Sequence, residues 1–161
     1  MIRSARREDA EPLRALDREV WSWLHAPVEP RDRPFDIEGV LVYELEGEIA
    51  GYVKLGELWP IDSVRHVREI KGLAVAARFH RRGVGRALLE TAIVLARKEG
   101  ARKLTLRVLG HNTPARDLYT ACGFEVEGVL RDLFLLEGRY VDDVLMSYDL
   151  VRDPPVRSRV A

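Results

Sequence analysis

The sequence predicts an α+β domain of three layers, with about seven strands in one sheet and helices packed against it. Three observations predict it. Runs with alternating apolar residues, such as Leu41 to Leu45 and Lys103 to Val108, carry the period of two that half-buried strands require. Two other runs, behind Asp9 and behind Gly83, carry apolar residues at three- or four-residue steps, the helical period. Turn signals at Glu46-Gly47 and Glu137-Gly138-Arg139 separate extended runs and mark hairpins, so the sheet contains antiparallel neighbours.

Taken in order, Ile2 to Ala5 reads as a short strand, and Leu13, Leu16, Val20 and Leu24 give the first helix its apolar stripe. Ala26 to Glu38 holds three prolines and six charges without a period, the composition of a loop and, in an enzyme, of a substrate flap. Leu41 to Leu55 reads as a hairpin, and a further strand runs from about Val67 to Val75 after the Trp59-Pro60-Ile61-Asp62 loop. Gly83 to Lys98 puts Val84, Leu88, Thr91 and Leu95 on one face, and Gly100 ends that helix. Lys103 to Val108 is a strand, Thr113-Pro114 caps and opens a short helix ending at Gly123, and Phe124 to Leu136 pairs with Tyr140 to Leu150. Residues 1–152 form one expected domain, and 153–161, with two prolines and an Arg-rich end, form a tail expected to fray.

Whole-chain properties exclude several function classes. A chain of 161 residues, 47% hydrophobic and 32% charged, suits a globular domain with its own core. The 26 Lys and Arg balance 26 Asp and Glu, so no net charge favours nucleic acid or a membrane surface. The longest apolar-rich stretch, Ala87 to Ala96, is too short to cross a bilayer. One cysteine, Cys122, and an N-terminus without a signal-like apolar run lead to the expectation of a cytoplasmic protein. Four scattered histidines and a single cysteine offer no metal-ligand spacing, so no metal is expected.

Chemistry concentrates in His80-Arg81-Arg82-Gly83-Val84-Gly85-Arg86, between a strand and the strongest helix. Unpaired N–H groups at a helix start attract anions, two glycines let a phosphate approach, and three arginines add charge, so a diphosphate is a fitting ligand. A solvated basic helix start accounts for the same residues. The turn lacks the lysine and hydroxyl residue of a P-loop and is not a G-x-G-x-x-G dinucleotide turn. Gly72-Leu73-Ala74-Val75 precedes it, and Asn112-x-x-Ala115-x-x-Leu118-Tyr119-x-x-x-Gly123-Phe124 follows about thirty residues later.

Together these segments resemble the GNAT superfamily of N-acetyltransferases over nearly the whole chain. The ending resembles the branch holding ribosomal-protein N-terminal and small-amine or herbicide-detoxifying acetyltransferases. The resemblance implies a mixed, mostly antiparallel twisted sheet with helices on both faces, acetyl-CoA as co-substrate, and direct acetyl transfer to a primary amine of a small molecule or a protein N-terminus. It implies that main-chain groups of Leu73, Ala74 and Val75 pair with the pantetheine arm. Arg81, Arg82, Gly83, Val84, Gly85 and Arg86 would hold the pyrophosphate, with Asn112 and Ala115 beside the arm and Tyr119 aimed at the thioester sulfur. It also admits a homodimer joined through sheet ends.

Each role has a plainer counterpart. Leu73 and Val75 suit an ordinary buried strand, Asn112 a loop turn, and Tyr119 a packed core position. For a general base, Glu69 is the candidate: a period of two puts it on the face of Lys71, Leu73 and Val75, although family strands often bulge there and a surface salt bridge fits it equally. His66 and Asp142 are weaker candidates. Two departures from the family stand out. His80 and Arg81 occupy the front of the turn, and Arg107 stands where the ribosomal-protein enzymes carry a glutamate base, which keeps open a non-catalytic CoA-binding or sensing module. Trp21, Trp23, Trp59 and Phe35 are candidates to line the acceptor pocket, and Glu38, Glu57 and Asp62 to attract a cationic amine.

Overall fold

The computed structural model describes residues 1–152, so the expected frayed tail lies outside the described residues. Strand β1 (Ile2–Ser4) leads into helix α1 (Ala10–Val20), and β2 (Val40–Leu45), β3 (Glu48–Glu57) and β4 (Val67–Val75) follow as a meander. Helix α2 (Val84–Lys98), strand β5 (Lys103–Leu109), helix α3 (Thr113–Ala121) and the hairpin β6 (Glu125–Leu136) and β7 (Arg139–Asp149) complete the chain. The seven strands lie in one sheet in the order β1-β2-β3-β4-β5-β7-β6. Every neighbouring pair is antiparallel except β4 and β5, whose crossover carries α2.

Adjacent residues of β3 show that helices cover both faces. Gly51 packs toward Val84 of α2, and the Tyr52 hydroxyl, on the opposite side of the strand, donates to Asp17 of α1 at 2.7 Å. The core is filled from both sides, with Leu13, Val42, Val53, Leu88, Leu89, Leu104 and Phe124 almost wholly buried. Transfer of such side chains from water stabilises the fold by about 1.5–3 kcal/mol each. Both hairpins turn through left-handed residues, Glu46-Gly47 and Glu137-Gly138, as the turn signals require.

Three local expectations need correction. Helix α1 stops at Val20, so Leu24 is not part of its stripe: Trp21 is extended, its indole N–H donates to the Val28 carbonyl at 2.8 Å, and its ring meets Trp23 edge-on. In α2 the buried face centres on Val84, Leu88, Leu89, Ala92, Ile93 and Ala96, while Thr91 is only partly buried and bonds back to the Ala87 carbonyl. The alanines let the helix lie close to the sheet. Thr113 does not cap α3; the Asn112 side chain does, accepting from the Ala115 N–H at 3.3 Å. No helix among the described residues is long and apolar enough to cross a membrane.

Candidate active site

The sheet splits where the parallel pairing of β4 with β5 ends. Strands β4 and β5 are in register from Val67 with Lys103 to Ile70 with Leu106, and past that rung they part. The Ala76 N–H donates to Ala50 at 2.9 Å, which sets the phase of the antiparallel ladder: Ala74 exchanges bonds with Tyr52, and Leu73 and Val75 turn their N–H and C=O away from β3, into the split. Of the three expected pantetheine partners, therefore, Leu73 and Val75 turn backbone groups into the split, the Val75 carbonyl being bonded there by His80, and Ala74 does not. A strand-like ligand fits such a gap because exposed main-chain groups need partners.

At the mouth of the split stands the glycine turn. Arg81 (φ 59°) and Gly83 (φ 79°) both adopt left-handed backbone, and α2 begins with no side-chain cap and no acidic residue in its first turn. The N–H groups of Val84, Gly85 and Arg86, in the first turn, have no helical carbonyl partner, and with the helix dipole they give this end of α2 the electrostatics that attract an anion. A Cβ on Gly83 would meet nothing within 4 Å, and one on Gly85 would stand 3.1 Å from Leu118 and 3.7 Å from Val75, so the turn, α3 and β4 converge there. These features fit the diphosphate and pantetheine of acetyl-CoA.

The arginines divide the work. Arg82 lies over the buried Phe79 ring and bonds Glu46 at 2.6 Å, which fastens the turn to the β2–β3 hairpin. Arg86 sits 3.8 Å from Glu90, and exposed Arg81 has no carboxylate partner among the described residues. His80, atypical at this place, has a role: its Nε2 donates to the Val75 carbonyl at 2.9 Å and pins the turn to β4.

Helix α3 closes the same side. Tyr119 is buried against Phe124 in an edge-on pair, and burial pushes its hydroxyl pKa up to about 12. That hydroxyl has no hydrogen-bond partner among the described residues, and burial is the cause of its raised pKa. Asn112 is buried, its Oδ1 caps α3, and its NH2 group has no hydrogen-bond partner among the described residues. Half-buried Cys122, its thiol pKa raised by burial, is a packing residue at the helix end.

The opposite face holds different chemistry, and a bulge decides what lies on it. Lys54 pairs with Gly72 and Leu55 with Ile70, so Lys71 is the extra residue in β4. Glu69, opposite Gly56, thereby shares a face with Gly72, Ala74 and Tyr52, not with Leu73 and Val75 as unbroken alternation predicts. Lys71 Nζ donates to Glu69 Oε1 at 3.0 Å. On β5, Thr105 lies beside Glu69 on this face, and two residues on stands Arg107, whose Nε donates to Oδ2 of the buried Asp143 at 2.6 Å and whose Nη2 donates to the same oxygen. Asp143 was missed from sequence; its signal was a carboxylate inside the apolar Val141 to Met146 run.

The segment after α1 crosses above this face. The Trp23 carbonyl accepts from His111 Nε2 at 3.1 Å, and Trp23 packs on Leu109, Leu136 and Val141. Phe35 meets Tyr52 edge-on at 5.1 Å, and Lys54 binds Asp36 at 2.7 Å. These residues lie over the face that holds Glu69 and Arg107, but Trp59, Glu57 and Asp62 do not. They border a cavity with Arg65 and Val67 at the start of β4, on the closed side of the split. His66 lies there too, its carbonyl bonded by Arg102, and Asp142 spends Oδ1 on the Asp132 N–H at 2.9 Å. Glu38 is exposed in the turn closed by its own N–H on Asp36. Among the described residues no group of three His, Cys, Asp or Glu is placed to hold a metal.

An open sheet split between its parallel neighbours, with an anion-binding helix start across the mouth, defines the splayed-sheet acyltransferase class. Residues 4–124 match the model of the acetyltransferase (GNAT) family, and the chain belongs to that family. It is 37% identical over 113 residues to a phosphinothricin N-acetyltransferase of Alcaligenes faecalis, covering 68% of this chain and 56% of that enzyme. It is 27% identical over 157 residues to an L-amino acid N-acetyltransferase of Escherichia coli, covering 91% and 96%. The crystal structure of smu.2055 from Streptococcus mutans UA159 superposes with a TM-score of 0.86 at 32% identity, covering 93% of this chain and 99% of that one. The match thus spans about half the length of the Alcaligenes faecalis enzyme and nearly all of the Escherichia coli enzyme.

Proposed function

We propose that residues 1–152 form one catalytic unit that moves an acetyl group from acetyl-CoA to a primary amine, of a small molecule or a protein N-terminus, by direct attack. The observation that carries this reading is the split between β4 and β5, with Leu73 and Val75 main-chain groups turned into it and the uncapped α2 start at its mouth. Acetyl-CoA supplies the thioester carbonyl, at which a C–N bond to the amine replaces the C–S bond. An N–H of Leu73 or Val75 polarises the carbonyl oxygen. Tyr119 donates a hydrogen bond toward the sulfur: a hydroxyl with a pKa near 12 stays protonated, yet it is too weak an acid to protonate an ordinary thiolate fully. Glu69 takes the amine proton through Oε2, directly or through water, while Lys71 holds Oε1.

Thermal-shift titration with acetyl-CoA, CoA and ATP, followed by a thiol-release assay on an amine panel, tests the reading. Stabilisation by acetyl-CoA and CoA with amine-dependent thiol release is expected. Stabilisation by ATP alone would overturn it, and CoA binding without turnover would select the sensing module. The proposal extends to a cytoplasmic location, which suits a single unpaired cysteine. It also extends to a homodimer through edge strand β6, where Val126, Val129, Leu133 and Leu135 are exposed beside unpaired backbone; light scattering on the eluted protein reads its mass.

A further inference from the structure

The geometry points to Arg107 as a clamp for a carboxylate on the acceptor, held in place by Asp143, so that the acceptor is an α-amino acid or an amino acid analogue and not a protein N-terminus. This deepens the acetyl-transfer reading and rests on it. Arg107 follows directly on Leu106, the last residue paired with β4, so it stands at the vertex of the split. Parallel pairing sets Thr105 beside Glu69, and Arg107, two residues on, shares their face about 7 Å further along the strand.

The guanidinium has two forked edges. Its Nε and Nη2 edge is spent on Asp143, whose side chain is only 3% exposed, and Arg107 itself is 52% exposed. The Nη1 and Nη2 edge is left facing outward, rigidly aimed, and matches the two oxygens of a carboxylate. Other cations of this face are engaged differently: Lys54 donates to both the carbonyl and the carboxylate of Asp36, and Lys71 to Glu69. An α-amino acid carries amine and carboxylate on one carbon, so a carboxylate clamped at Arg107 leaves the amine at the vertex, on the Glu69 side. The first residue of a protein carries an amide at that place and forfeits one charge-assisted pair.

The test uses the full chain with acetyl-CoA and three matched acceptor sets: the common L-amino acids, their carboxamides or decarboxylated amines, and peptides with free N-termini. At least one amino acid is expected to exceed its carboxamide in kcat/KM by roughly 10–100-fold. Arg107→Gln should raise KM for that amino acid by a similar factor, leave KM for acetyl-CoA unchanged, and bring acid and carboxamide to parity. Because this variant strands a buried Asp143, the double variant Arg107→Gln with Asp143→Asn, which keeps the pair neutral, should behave alike. Arg107→Lys, lacking the fork, should restore only part of the preference. Peptides or carboxamides used as well as amino acids, or an unchanged preference in both glutamine variants, would overturn the clamp while leaving acetyl transfer intact. Turnover with no amine at all would overturn both.

Discussion

Tyr119 and Asp9 illustrate how burial alone and burial with charged partners move titratable side chains in opposite senses. Burial raises the Tyr119 pKa to about 12, so the hydroxyl stays a donor throughout the range in which acetylation would be assayed. Tyr119→Phe should therefore keep the acetyl-CoA thermal shift, lower kcat roughly 10–100-fold, and leave the shape of the pH–rate profile unchanged below about pH 10. Stopped-time thiol release across pH checks all three. Asp9 goes the other way: its bonds from Arg3 at 2.7 and 3.0 Å and from the Arg6 N–H at 2.6 Å hold its pKa below the usual carboxylate range, against the opposing effect of burial. A depressed folded pKa stabilises the protein above the unfolded value, near 4, and that stability is lost as pH falls through the folded value. Asp9→Asn should cost about 1–2 kcal/mol at pH 7, with the wild-type advantage shrinking below about pH 4 in thermal melts.

At the scale of elements, the β4–α2 turn separates steric from electrostatic effects. Gly83→Ala places a methyl where nothing lies within 4 Å, so its cost is the left-handed backbone, about 1–2 kcal/mol, and cofactor binding should persist. Gly83→Asp should fold as well as the alanine variant, since a carboxylate there can accept from the first-turn N–H groups, but it fills the anion site and repels a diphosphate. Loss of the acetyl-CoA thermal shift in Gly83→Asp but not Gly83→Ala is the expected result. The turn, its helix and the Asn112 to Phe124 run were legible because glycines and residue spacing are local, although the cap of the last helix is Asn112 and not Thr113. The β4 bulge was not, because alternation is read along one strand while Lys71 is displaced by the register of β3 on either side. For the same reason the Asp143 pairing with Arg107 escaped notice: the two lie 36 residues apart and meet only once β5 and β7 align.

The whole molecule is organised around a sheet that is complete except at the split. Amides of Leu73 and Val75 have no strand partner, whereas Ala74 and Ala76 are bonded into β3. Hydrogen exchange should accordingly alternate along β4 in the free protein, with Leu73 and Val75 fast and Ala74 slow, and saturating acetyl-CoA should slow the fast pair by at least tenfold. NMR of the free and bound protein checks the alternation; uniform protection without ligand would remove the split as the binding site.

By itself, the sequence determined the α+β class, the order of strands and helices, the hairpins and the glycine turn before α2, because each depends on residues within a few positions of one another. Tertiary structure alone decided which main-chain groups face the split, which face Glu69 occupies, and that Arg107 is clamped by Asp143. These depend on register between strands distant in sequence, and a shift of one residue in that register moves every side chain to the other face.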